Sequence, residues 1–128
     1  MLKTIKHNYN LLKDKFKDVG LKVKRSSEWH RVREEFLKEN SECAICGTNK
    51  NLNVHHKKPF HLYPELELDK NNLVTLCMSK RECHLLIAHG GLFSAYNPHI
   101  ESDIKILQDD LSNFDEIAKL AKLSRVKE

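Results

Sequence analysis

Four cysteines and a set of histidines hold the chemistry of this 128-residue chain. Cys43 and Cys46 are separated by two residues with Gly47 behind them, and Cys77 and Cys83 follow downstream. Four thiolates fill one tetrahedral zinc site. His55, His56, His84 and His89 are therefore left for other work. Hydrolysis of a phosphodiester needs a water made nucleophilic and a cation that offsets charge on the phosphate and the leaving oxygen. Imidazole titrates near neutrality, so His56 suits the proton transfer, while His55 and His84 suit the ion. Asn72 can tie the intervening loop back through its amide. His89 follows His84 by five positions, which strains the two as ligands on one face of a regular α-helix.

These residues need elements to position them. Leu52 to His55 alternates as a strand, and alternation sends adjacent side chains to opposite sides. His55 and His56 thus share a site only if a turn follows at once, which Pro59 suggests. Residues 61–68 read as an ordered excursion containing Pro64. Asp69, Asn71 or Asn72 starts a short helix or turn, and Leu73 to Leu76 is apolar enough to be buried. His84 to His89 reads as a helix ending at Gly90-Gly91. Upstream, Trp29, Val32, Phe36 and Leu37 form the apolar stripe of a helix capped by Ser26 or Ser27. Leu2, Ile5, Tyr9, Leu12, Phe16 and Val19 predict an amphipathic N-terminal helix ending at Gly20. Ile104, Leu107, Leu111, Phe114, Ala118 and Ala121 predict one long C-terminal helix, capped by Ser102 or Asp103 and fraying over residues 122–128.

The length fits a single small domain that gains from a metal staple. No apolar run resembles an export signal or a membrane span, so a cytoplasmic setting and a zinc site are expected rather than disulfides. The net charge is +4. Its distribution is uneven: residues 1–26 carry eight Lys/Arg against two acids, whereas residues 101–128 carry five against seven. A basic N-terminal segment suits a polyanion such as DNA, with Arg25, Arg31, Arg33, Lys57 and Lys58 as candidate phosphate contacts and a merely solvated face as the alternative. A two-cysteine, two-histidine finger fits poorly, because its histidines are three to five residues apart and lie about 12 residues beyond the knuckle.

The order Cys-x-x-Cys, Val-His-His-x-x-Pro-Phe, Asn-Leu-Val-Thr-Leu-Cys and Cys-His resembles the HNH endonuclease family over residues 25–99, and Arg25-Ser26-Ser27-x-Trp29 is similar to a lead-in of its zinc-containing members. The resemblance implies an α+β fold: a ββα-metal (His-Me finger) core with a four-cysteine zinc, flanked by helices. It implies His56 as general base, Asn72 as the central asparagine, and His55 and His84 as ligands of a divalent ion (Mg2+, Mn2+, Ni2+ or Zn2+), with His89 a further candidate ligand. Cys43, Cys46, Cys77 and Cys83 would hold structural zinc. The five residues between Cys77 and Cys83 exceed the two of many relatives, so the second knuckle is a wider loop. The expected division is a basic segment 1–24, a nuclease domain 25–99 and a C-terminal helix in 100–128. The expected activity is cleavage of double-stranded DNA; the alternative is a catalytically silent zinc module that binds nucleic acid or protein.

If the N-terminal lysines meet phosphates, removing residues 1–24 should weaken DNA binding and flatten its salt dependence, because each lost contact releases fewer counterions. Anisotropy titrations across a salt series check this. An unchanged slope would show those lysines to be only a solvated face.

Overall fold

Two short paired strands, the second buried along its whole length, build the centre of the fold. The computed structural model describes residues 23–128; the amphipathic stripe from Leu2 to Val19, and all but the last two residues of the basic segment 1–24, lie outside them. The fold is α+β. Strand β1 (Leu52–His56) pairs antiparallel with β2 (Leu73–Cys77), with Val54 opposite Thr75 and His55 opposite Val74. Helix α1 (Trp29–Glu39) covers one face, where Val32 and Phe36 pack on Val54 and Leu73. The other face, with Val74 and Leu76, meets a helical segment at His84–Ala88 and two C-terminal helices, α2 (Ile100–Asp109) and α3 (Phe114–Ser124).

The start of α1 differs in detail from the expected serine cap. Ser26 Oγ accepts from the Glu28 N–H at 3.1 Å and the Ser26 carbonyl from the Trp29 N–H at 3.2 Å. Ser26 thus closes a turn ahead of the helix, and Glu28, at the cap position, makes no side-chain cap bond.

The single long C-terminal helix is two helices. Asp110 is extended, and its Oδ1 accepts from both the N–H and the hydroxyl of Ser112, at 3.0 and 2.6 Å. A local turn of that kind competes with the helical backbone bond. Periodicity survives the break: Ile104, Leu107 and Phe114 join one core with Ile45, Leu76 and Ile87. Helix α2 starts at Ile100 after His99, not at Ser102 or Asp103. The chain after α3 does not fray as expected, because β4 (Val126–Lys127) pairs antiparallel with β3 (Ala95–Tyr96).

Gly90 fixes how closely α3 approaches the histidine segment. Its φ is +59°, and an added Cβ would lie 2.6 Å from the Ala121 carbonyl oxygen, a backbone atom that cannot swing aside. Gly90→Ala should therefore cost more than ~1 kcal/mol of stability. A lower denaturant midpoint at unchanged slope is the expected signature; a midpoint equal to wild type would mean that the contact is loose.

Candidate active site

Two clusters of metal-capable side chains border the hairpin. In the first, the sulfurs of Cys43, Cys46, Cys77 and Cys83 all lie within 4.8 Å of one another, and Cys46 Sγ is 3.6 Å from Cys77 Sγ. A zinc tetrahedron with bonds of about 2.3 Å has edges of roughly 3.8 Å, so the donor set fits that ion. The knuckle is a backbone device. The Gly47 N–H donates to the Cys43 carbonyl, the Cys43 N–H to the Thr48 carbonyl, and Gly47 takes φ +75°. The Ala44 N–H bonds the Thr75 carbonyl and ties the knuckle to β2. The wider second loop closes through a turn from Ser79 to Glu82, with Glu82 at φ +51°, and delivers Cys83 to the cluster. The Cys43 sulfur accepts from the Cys83 thiol, which lowers its pKa to about 4, while burial raises that of Cys46.

The second cluster is His55, His84 and His89. His84 Nε2 lies 3.2 Å from His55 Nδ1 and 3.0 Å from His89 Nε2. The five-residue spacing that strains an α-helix is resolved by a π-helix: the His89 N–H donates to the His84 carbonyl at 3.2 Å, an i to i+5 bond that brings the two rings together edge to face, with centroids 4.6 Å apart. Such π turns recur at functional sites. Asn97, fully buried, secures the segment by donating from its backbone N–H to the Ala88 carbonyl and from Nδ2 to the Ile87 carbonyl.

Three imidazole nitrogens aimed at one another call for a cation. His89 Nδ1 donates to the Ala95 carbonyl at 2.7 Å, which leaves a lone pair on its Nε2. One proton on His84 Nε2 cannot serve both of its neighbours well. The separations approach the roughly 3.3–3.4 Å edges of a tetrahedron with nitrogen bonds of about 2.0–2.1 Å. The Ala95 carbonyl is the kind of outer partner that orients a ligating imidazole. Phe93, with its ring 5.7 and 5.1 Å from those of His84 and His89, lies against the cluster.

His56 stands apart from the triad. Strand alternation holds: His55 turns toward His84 and His89, while His56 stacks on Trp29 with ring centroids 4.4 Å apart. Both nevertheless line one cavity of about 190 Å³, together with Arg25, Pro59, Phe60, His61, His84 and His89. His56 Nε2 donates to the Glu67 carbonyl at 2.9 Å, which leaves Nδ1 as a free base. Burial lowers the pKa of His56, so the ring is neutral and ready to accept a proton. Asn72 clamps the loop from both sides: its Oδ1 accepts from the Lys58 N–H, and its Nδ2 donates to the carbonyls of Lys58 and Leu66. Leu66 precedes the residue whose carbonyl holds His56. The asparagine thus acts on His56 through the loop, without touching the ring.

The candidate phosphate contacts divide. Arg25 lines the cavity, its guanidinium 4.5 Å above the Phe60 ring. Arg31 is paired with Glu28 and Glu35 on the exposed face of α1, Arg33 with Glu34, and Lys57 with Glu101. Lys58 lies over Tyr63. Glu67 is not legible as a site residue in the sequence, since an acid in the Pro-Glu-Leu-Glu-Leu run carries no spacing signal; Trp29 reads there as part of an apolar stripe and of the family lead-in, with no sign that it stacks on His56.

With this geometry, residues 43–88 match the family model described as HNH endonuclease, a stretch running from the first knuckle cysteine to the end of the π-helix. The matched stretch is similar to an HNH endonuclease domain and sits in an α+β fold, and that family suggests nuclease chemistry with metal binding. No curated protein and no solved structure matches the chain. Among the described residues, no helix is long and apolar enough to cross a membrane.

Burial lowers the His84 pKa from 6.5 to about 4 and moves His55 the same way. Between those values the unfolded chain binds more protons than the folded one, so stability rises with pH across the window. This contribution is complete above 6.5 and lost as pH falls toward 4. Thermal melts of protein carrying no ion at the histidines should show that loss, and His84→Gln should reduce it. A melting temperature independent of pH across the window would contradict the burial of neutral imidazoles.

Proposed function

We propose that this protein is a metal-dependent endonuclease that hydrolyses phosphodiester bonds in double-stranded DNA. One observation carries the reading: a neutral imidazole with a free Nδ1, His56, opens onto the same cavity as three converging imidazole nitrogens. His55, His84 and His89 would hold a divalent ion, which when bound supplies the positive charge needed at the phosphate and leaving oxygen. An all-imidazole set suits zinc or nickel better than magnesium or manganese, which prefer oxygen donors. Cys43, Cys46, Cys77 and Cys83 hold a structural zinc whose binding free energy is also folding free energy.

His56 takes the proton from the attacking water at Nδ1. The Glu67 carbonyl fixes the tautomer that leaves this atom free, and Trp29 holds the ring by stacking. Asn72 keeps the loop carrying that carbonyl in register with β2. Arg25 is the basic side chain on the cavity itself; Arg31, Arg33, Lys57 and Lys58 are outlying phosphate contacts.

His56→Ala should lose cleavage by roughly 10²–10⁴-fold, the usual effect of removing an acid-base group, with zinc content and DNA affinity near wild type. His55→Ala and His84→Ala should weaken binding of the second ion, and added metal should partly rescue them. Plasmid cleavage by metal-defined protein makes the comparison. A His56→Ala protein that cuts at the wild-type rate, in a preparation free of other nucleases, would leave a silent zinc module as the better description.

A further inference from the structure

Glu67 is a buried carboxylate that neither metal cluster uses. Its Oε1 accepts from the Ser26 N–H at 2.9 Å. Its Oε2 is buried with no hydrogen-bond partner, and the nearest charge is Arg25, whose Nη1 lies 3.6 Å away. A carboxylate withdrawn from water is costly unless its charge is compensated. Arg25 is half-exposed, lies over the Phe60 ring and reaches Trp29, the residue that stacks on His56. Through its backbone, the same Glu67 accepts the His56 Nε2 proton.

We propose that Glu67 is a positioning residue that serves both halves of the reaction, its main-chain carbonyl orienting His56 and its carboxylate aiming the Arg25 guanidinium into the histidine cavity to take a phosphate of the DNA. This rests on the nuclease reading above. A guanidinium is a planar fork suited to bidentate phosphate recognition. Glu67 approaches through one nitrogen and at a distance too long for a hydrogen bond, so the remaining donors stay free for a ligand. Phe60 and Trp29 restrict where the fork can point. The aim then depends on the carboxylate, while the hold on His56 depends only on the backbone, so side-chain substitution separates the two.

Glu67→Gln keeps the carbonyl and an acceptor for Ser26 but removes the charge facing Arg25. Cleavage kinetics, DNA anisotropy without added metal, zinc content and melting would be compared for wild type, Glu67→Gln, Arg25→Gln and the double variant. Glu67→Gln should lower kcat on the order of 10–100-fold, the scale of a mispositioned group, with DNA affinity little changed. The double variant should match Arg25→Gln alone, because no guanidinium is left to aim. Additive losses, or kcat, affinity and melting temperature falling together, would overturn the proposal in favour of a structural role. If Glu67→Gln loses zinc or fails to fold, Arg25→Lys decides: charge without the fork should lose kcat nearly as far as Arg25→Gln, and wild-type kcat refutes the aim. If wild-type protein binds DNA without cutting it, the nuclease reading falls, and Arg25 is judged by binding. A salt slope lowered by about one in Arg25→Gln supports the phosphate contact, and an unchanged slope overturns it.

Discussion

One backbone hydrogen bond, from the His89 N–H to the His84 carbonyl, sets the site. In a regular α-helix, residues five apart are rotated well off a common face, so a second ligand there would point away from the first. Widening the turn to π geometry brings them into line. The wider turn leaves carbonyls to be satisfied elsewhere, and buried Asn97 takes those of Ile87 and Ala88. Gly90 lets α3 press against the end of this turn. A local irregularity is thus held by residues well beyond it in the chain.

The β1–β2 hairpin divides the work between its faces. Period-two alternation gives His55 to the π-helix side and His56 to the α1 side. Because β1 ends at His56, the two rings still border one cavity. Their environments differ accordingly. His55 is deeply buried, and desolvation, then the neighbouring imidazoles, hold its pKa well below the usual value; His56 is less buried and has a carbonyl on one nitrogen. On the function proposed above, the same residue type serves as a metal ligand on one face and as a base on the other.

The cysteine cluster and the C-terminal helices stabilise this arrangement together. Cys43, Cys77 and Cys83 belong to the apolar core that also contains Ile100, Leu107 and Ile117. Helices α2 and α3 therefore share a core with the hairpin and knuckle. The hairpin alone has few residues with which to bury both its faces, and a two-stranded ribbon is marginal in water without packing partners.

By itself, the sequence determined the residue types, their order and most element types: a knuckle, a strand with two histidines, a buried second strand, a helical segment after Cys83, and the α+β class. These are legible because cysteine spacing, strand alternation and three-four periodicity are local properties of the chain. Helix breaking at Asp110 was hidden, since the apolar period continues through it while the Asp110–Ser112 turn interrupts the backbone. Pairing of Val126–Lys127 with Ala95–Tyr96 depends on a partner some thirty residues away. Tertiary structure alone decided that His89 joins His55 and His84, because the register of one turn depends on what satisfies its carbonyls. It alone decided that Glu67, through its carbonyl and its carboxylate, meets both His56 and Arg25, since only folding of the excursion brings those three together.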